Sequence, residues 1–445
     1  MWLALLLCLG LLFWVMPEAF GIFLPSLPRP YEGQTLRVLS FQDNHSRAVS
    51  ELLVEFEALS GATVVFDRVA SAMVMTKTGI DQAAGGTYDL YTIDEPFLPY
   101  LSGLLVPIRE WPAPQLRGLR VSAPGAFLPA AVEAGSFRGE WYGLPVSGNV
   151  YLYVYRTDLF DSPKEQRAFL ARYGYPLAVP TSLQAMRDVA EFFTRPPSLY
   201  GFAPFTKASE GTTVEALWVL SSFGTQPLSD GSPHGRLTVT LDEQLTVKAF
   251  RYYMELLEYA PPGGRNWHHA ERMAAYRKGK VAQLMTWPNF FRDLENPSRS
   301  RVVGRNGYAL PPAEAGGRPS PVAGSWTLAM PRSTQHRALA AEFAYWWASA
   351  EVGHKLVEKG MNPARRDLLS DPELRLKWPW FPAVMQNFEQ AIMRPRLSSY
   401  KAVNDCISLY FTKMIAGQQT PEEAARQLRV ALERVVVRSQ EKVVP

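Results

Sequence analysis

A chain of 445 residues can fill two or three domains, and 47% hydrophobic with 20% charged residues describes a globular protein with large cores. A net charge of +4 with no Lys/Arg-rich block argues against a nucleic-acid partner. With only Cys8 and Cys406, a disulfide framework and a cysteine-ligated zinc site are excluded, while twelve Trp can serve packed cores or a sugar-stacking cleft.

Residues 1–16 are almost purely apolar, and Pro17 and Glu18 end the run. The run is short for a spanning helix, which needs about 20 residues. Ala19-Phe20-Gly21 offers small residues for signal cleavage. No Lys or Arg precedes the run, and Leu5-Leu6-Leu7 stand before Cys8 in place of the small residues of a lipid-attachment site. An export signal or uncleaved membrane anchor is expected over 1–30, with Pro25, Pro28 and Pro30 stiffening a spacer.

The alternation at 35–40 predicts a strand, the helical spacing of Leu52, Leu53, Phe56 and Leu59 a helix over 50–60, and Thr63-Val64-Val65-Phe66 a second strand. Gly61 is a natural helix stop. This β-α-β opening implies a parallel sheet. Residues 42–45, with Asn44 and His45, then fall at a strand's carboxyl end, where ligands of open α/β sheets bind. Tyr88-Asp89-Leu90-Tyr91 predicts the next strand, followed by Asp94 and Glu95. Gly139, Gly143 and Pro145 mark turns before the aromatic strand 150–155. Helices are expected from Ser182 to Phe193, over 215–222, 246–259 and 338–349, and from Pro421 to Val436, with a polar loop over 206–211 carrying Glu210. Trp287 should end a strand beside Pro288-Asn289.

Several phrases, taken in order, resemble the extracellular solute-binding proteins of bacterial ABC transporters, in the group that includes the maltose-binding protein. Phe56-Glu57 before Gly61 and a strand is one. Gly103-Leu104-Leu105-Val106-Pro107 is another, and Gly143-Leu144-Pro145 leading to Tyr155-Arg156-Thr157-Asp158-Leu159-Phe160 a third. Tyr276-Arg277-Lys278-Gly279-Lys280-Val281-Ala282 running on to Trp287 is the most specific. Ala323-Gly324-Ser325-Trp326 before Pro331, and Gly360-Met361-Asn362-Pro363-Ala364-Arg365, complete the series. The match departs after Pro180, where the family's Trp and acid are missing. The resemblance covers about residues 35–436.

It implies an α/β fold of two lobes, the type II periplasmic-binding arrangement, joined by three crossings at 149–155, 307–311 and 360–365. Lobe 1 is expected over 31–149 plus 312–360, and lobe 2 over 150–311 plus 361–445. The implied function is the exported, substrate-binding part of an ABC importer, periplasmic or at the cell surface. It would close on a sugar or oligosaccharide and deliver it to the permease's transmembrane subunits. A monomer is expected, with no cofactor and no metal. The implied ligand contacts are stacking by Trp287 and Trp326 and polar groups from Asn44, His45, Asp94, Glu95, Asn149, Glu210, Asn289, Gly324, Ser325 and Arg365. A phosphorylated polyol such as a glycerol phosphodiester is the alternative, since Arg forks suit phosphate.

An enzymatic reading has less to stand on. Motifs of zincins, nucleophile elbows and dinucleotide folds are absent from the sequence, and Gly279-Lys280 is followed by Val281, not the Ser or Thr of a P-loop. His268 and His269 are adjacent, so they cannot chelate a metal from one helix face and are expected in a loop or cap. Asp94, Glu95 and Glu210 could be imagined as a glycosidase's carboxylates, whose separation a sequence cannot give. A ligand-sensing receptor domain would share the fold but needs a signalling partner domain.

Overall fold

The computed structural model describes residues 29–229, 237–314 and 317–441. Residues 1–28, the bulk of the expected signal or anchor, lie outside them. Among the described residues no helix is long and apolar enough to cross a membrane.

Two sheets organise the chain. The first is built from β1 (Thr35–Phe41), β2 (Thr63–Val69), β3 (Leu90–Asp94), β4 (Gly143–Ser147) and a later strand, Trp326–Ala329. Its order is β2-β1-β3, then Trp326–Ala329, then β4. The β1 pairings with β2 and β3 are parallel, and Trp326–Ala329 runs antiparallel to both its neighbours. The second sheet comprises β5 (Val150–Arg156), β6 (Tyr200–Phe202), β7 (Val281–Thr286), β8 (Asn306–Ala309) and β9 (Val322–Ala323). Its order is β8-β5-β7-β6, with β9 also on β5. The strand Trp326–Ala329 is β10.

The strands over 35–41, 63–69 and 150–156 fall where alternation and β-branched runs put them. The strand expected from Tyr88 starts at Leu90, because the Asp89 carboxylate turns back to accept from the Arg37 amide at 2.9 Å. The helix expected over 50–60 arrives as two, α1 (Asn44–Ser50) and α2 (Leu53–Ser60). An Asp43/Ser46 capping box starts the first one early.

Each sheet has its own helical cover, with α3 (Ser71–Ala83) on the first and α4 (Leu183–Phe193) on the second. Phe56 of α2 packs against Phe343 and Trp346 of α8 (Arg337–Trp347) over the first sheet. For the second, α5 (Glu210–Ser222) and α6 (Glu243–Leu257) pack with the helices Tyr400–Ile415 and Pro421–Glu441 around Trp218, Phe250, Tyr253 and Phe411. The last helix, expected to end near Val436, runs on through Glu441. The helix α7 (His269–Arg277) precedes β7.

Two short passages carry the chain between sheets. Gly148 and Asn149 separate β4 from β5, and Gly324 and Ser325 separate β9 from β10. The Gly324 amide donates to the Asn149 carbonyl at 2.9 Å, so these passages lie side by side. This moves the second change of sheet away from 307–311. β8 and β9 pair in turn with the same strand, Tyr308 opposite Val154 and Val322 opposite Tyr151, and the chain leaves only after Ala323. A third strand of chain, 361–365, runs alongside, where the Gly148 amide donates to the Asn362 carbonyl at 3.3 Å.

Candidate functional site

Because only two residues separate the sheets at each of the first two passages, the sheet edges face one another there. On the first edge stand Phe41 ending β1 and Asp43 just past it, Asp94 and Glu95 at the end of β3, Ser147 ending β4, and Trp326 opening β10 opposite both Asp94 and Ser147. On the second stand Tyr151 at the start of β5, and Trp287 and Asn289 after β7. Carboxyl edges of α/β sheets are where ligands bind.

Trp326 stacks on Phe41, with ring centroids 4.0 Å apart and an interplanar angle of 27°. It is 9% exposed, so little of its ring is free. Trp287 is half-buried and leans on Tyr151 at 4.9 Å. Its ring also lies over Gly324, where an added Cβ would come within 2.4 Å of it. Glycine at 324 therefore makes room for a flat aromatic wall.

Asp43 Oδ1 accepts from the Ser46 amide at 2.8 Å, while Oδ2 is buried with no partner. Burial pushes this carboxyl up to about 6, with Ser46 and Asn289 opposing the rise. Asn149 Oδ1, Asn289 Oδ1 and Ser325 Oγ are likewise buried without partners. Four unpartnered buried atoms thus gather at the facing edges near two Trp rings, a set that a polar ligand or ordered water can satisfy.

The three acids expected to accept ligand hydroxyls are brought together, but around an arginine. Arg394 Nε lies 2.9 Å from Glu95, and Nη1 lies 3.0 Å from Asp94 and 2.9 Å from Glu210, while Nη2 donates to Asp94. Tyr400 donates to Glu210 as well. The guanidinium is 2% exposed. Burial raises Glu95 to about 7 and raises Glu210, against the pull of Arg394. Glu210 opens α5 and does not lie in a loop.

His45 and Arg365 stand elsewhere. Asn44 and His45 open α1; Asn44 is half-buried, whereas His45 is buried and stacked with Trp347 at 6.2 Å. Both His45 and Arg365 line a small pocket of about 20 Å³ with Val146 and Asn362. Arg365 spends its donors on Asp367 at 3.0 and 2.6 Å, Ser122 at 2.9 Å and the Ala348 carbonyl at 3.0 Å. It holds fold together and offers no fork to a ligand. His268 is the N-cap of α7 and His269 its first residue, in line with the cap expected. Asp43 lies inside the stretch 42–45 expected at the ligand edge without being singled out in it, while Phe41, Tyr151 and Arg394 escaped the sequence reading. The capping pattern Asp43-x-x-Ser46 could have flagged the first.

A family model for the bacterial extracellular solute-binding proteins matches residues 42–354. The chain belongs to that family. A "Probable amino-acid ABC transporter periplasmic-binding protein" of Sinorhizobium fredii is 26% identical over 420 residues, covering 92% of this chain and 90% of that protein. A mannitol-binding protein of Pseudomonas aeruginosa is 26% identical over 280 residues, 62% of this chain and 59% of the relative. Among solved structures, an ABC transporter solute-binding protein of Agrobacterium radiobacter in complex with ribitol superposes with a TM-score of 0.76 at 22% identity, over 93% of this chain and 100% of that one. A maltose-bound protein of T. maritima gives 0.75 at 20% identity, over 90% and 99%. The two facing sheets are thus the two lobes of the solute-binding fold.

Proposed function

We propose that this solute-binding protein is the exported receptor of an ABC importer and captures a neutral sugar or polyol between its lobes. The observation that carries the reading is the set of four unpartnered buried polar atoms, on Asp43, Asn149, Asn289 and Ser325, beside the rings of Trp287 and Trp326. Hydroxyls both donate and accept, so a polyhydroxylated ligand can satisfy such a set. A relative named for mannitol, and structural neighbours holding ribitol and maltose, support the same class.

We read lobe 1 as residues 31–149 with 324–360, and lobe 2 as 150–323 with the last two helices; residues 361–396 lie against both. Delivery to a permease's transmembrane subunits, action as a monomer and location outside the cytoplasm belong to this reading. So does binding without turnover. Asp94, Glu95 and Glu210 are engaged by Arg394 and do not supply the free carboxylate pair of a glycosidase. The phosphorylated-polyol alternative loses its best fork, since Arg365 is held by Asp367.

Calorimetric titration with ribitol, D-mannitol, maltose, glycerol 3-phosphate and the common amino acids tests this. A neutral carbohydrate should bind, raise the melting temperature by mass action and be recovered unchanged. Its affinity should hardly move between about 0.01 and about 1 M salt. Binding confined to the phosphate or to an amino acid, or chemical conversion of the ligand, would overturn the assignment.

A further inference from the structure

Residues 277–305 hold seven Lys or Arg and two Asp or Glu, a net +5 that exceeds the +4 of the whole chain. In the sequence most of these cations form two groups, at 277–280 and at 299–305. The fold joins them at the end of the second sheet that lies away from the candidate site. β5 starts beside the passage at Gly148-Asn149 and ends at Arg156, about 20 Å further on at about 3.3 Å per residue. Antiparallel pairing puts the starts of β7 and β8 at that same end, with Gln283 opposite Tyr155 and Asn306 opposite Arg156. There the Arg301 amide donates to the Arg277 carbonyl at 2.8 Å, and a Cβ added at Gly279 would lie 3.8 Å from Val302. Lys278 and Lys280 therefore share one end of the molecule with Arg301 and Arg305.

The carboxylates in reach are mostly occupied. Asp158 accepts from Arg156 at 2.6 and 2.5 Å, which leaves Arg305 a long contact of 3.8 Å to the same group. Asp293 pairs with Arg299 at 3.1 Å. Glu295 is spent on the local chain, accepting from the Gly304 amide, Asn306 and Tyr308 at 2.7, 2.7 and 3.0 Å. Asp161 is exposed nearby, and Arg292 turns away, packing against Gly360. Lys278, Lys280 and Arg301 are exposed and enter no ion pair among the described residues. Between Arg301 and Arg305 the chain makes a tight turn, closed by the Arg305 amide on the Val302 carbonyl at 3.0 Å. Gly304 takes φ +66° in it, and Val303 is left 38% exposed.

We propose that this end of the molecule is a docking surface for a bilayer with anionic phospholipid headgroups. The free cations are spread over a surface, which suits a plane of phosphates better than a single small anion. Val303 adds an apolar side chain at the turn between two arginines, the pairing that sits where headgroups meet acyl chains. A soluble polyanion would use the cations and leave Val303 idle. The contact stands apart from the carbohydrate reading and leaves the candidate site, at the other end of β5, uncovered.

Co-sedimentation of the full chain with vesicles of phosphatidylcholine alone, and with vesicles of equal parts phosphatidylcholine and phosphatidylglycerol, tests this. Whatever the apolar run at 1–16 contributes is common to both. Each cation near an anionic surface is worth about five-fold in partition, so at about 0.01 M salt the anionic vesicles should hold the protein about ten-fold or more tightly, and at about 1 M salt the difference should vanish. The combined variant Lys278→Glu/Lys280→Glu/Arg301→Glu should abolish the preference with an unchanged melting temperature, and Val303→Ser should weaken it a few-fold. Arg426→Glu/Arg434→Glu/Arg438→Glu makes the same change of net charge at exposed positions of the last helix and should keep the preference. Equal partition into both vesicles would overturn the proposal. So would equal losses in the two triple variants, which would make the effect one of net charge alone. Binding to inorganic polyphosphate without binding to either vesicle would assign the surface to a soluble polyanion and overturn it as well.

Discussion

Asp43 divides its carboxylate between fold and site: Oδ1 caps α1 through the Ser46 amide, and Oδ2 is left unpaired at the sheet edge. Asp43→Ser keeps a capping oxygen and deletes the second acceptor. It should weaken ligand binding by about 1.5–3 kcal/mol, the scale of a hydrogen bond to a charged group, with little loss of stability. Equal losses of affinity and stability in calorimetry and melting would mean the carboxylate serves the helix alone. The two tryptophans should separate in the same assays. Trp287→Ala, at a half-buried ring, should cost affinity by about 1–3 kcal/mol, whereas Trp326→Ala should cost about 3–5 kcal/mol of stability because it unpacks Phe41. His45 supplies a pH dependence. Burial lowers it from 6.5 to about 4, so the unfolded chain takes up a proton that the folded chain refuses. Its contribution is present above pH 6.5 and is lost as pH falls towards 4, on the order of 3 kcal/mol in full. Asp43, raised to about 6, acts in the opposite sense over part of that range. Denaturant titrations between pH 4 and 7 should therefore show wild type losing ground to His45→Gln on acidification; parallel curves would contradict a neutral buried imidazole.

Among elements, the segment after residue 389 is the least predictable from sequence and the most telling in three dimensions. Arg394 reaches Asp94 and Glu95 on the first sheet and Glu210 on α5, and Phe97 meets Tyr400 edge-on at 5.2 Å. Breaking a buried ion pair from one side leaves charges uncompensated. Arg394→Met should thus cost about 3–5 kcal/mol of stability, and Glu95→Gln combined with it should recover part of the loss. Additive losses in a double-mutant cycle would show that the pair is not coupled. The strands were legible because alternation and β-branching are local: β5 reads as a strand on its own residues. Trp287 and Asn289 were legible for a similar reason, standing just past a predicted strand. Arg394 carries no such mark. What gives it meaning is the approach of residues 184 to 300 positions away, which no local pattern encodes. The misplaced passage has the same root. Gly307 and Pro311 look like a turn out of the sheet, yet pairing of Val322 with Tyr151 brings the chain back to β5 first.

At the scale of the whole molecule, the passages at 148–149, 324–325 and 361–365 are packed together, and in the proposed reading they would set how the lobes move. Gly324 donates to Asn149, and Gly148 sits so close to the third passage that an added Cβ would lie 2.3 Å from the Pro363 carbonyl oxygen. Hinges absorb motion in a few backbone residues, and Gly148-Asn149 with Gly324-Ser325 are the residues available here. Ligand shifts such an equilibrium only as far as it prefers the closed form. Small-angle scattering should show a smaller radius of gyration with saturating ligand than without. Gly148→Ala forces a backbone carbonyl to move, an overpacking cost of about 1–3 kcal/mol in the arrangement where that contact exists. If the binding-competent form keeps that contact, the variant should bind more weakly by a comparable amount, because affinity is reduced by the fraction of molecules in that form. Its empty form should scatter as the wild type or slightly larger. If Gly148→Ala bound normally while ligand still compacted it, the passage at 148–149 would not be part of the hinge, and the motion would have to be carried by 324–325 and 361–365 alone.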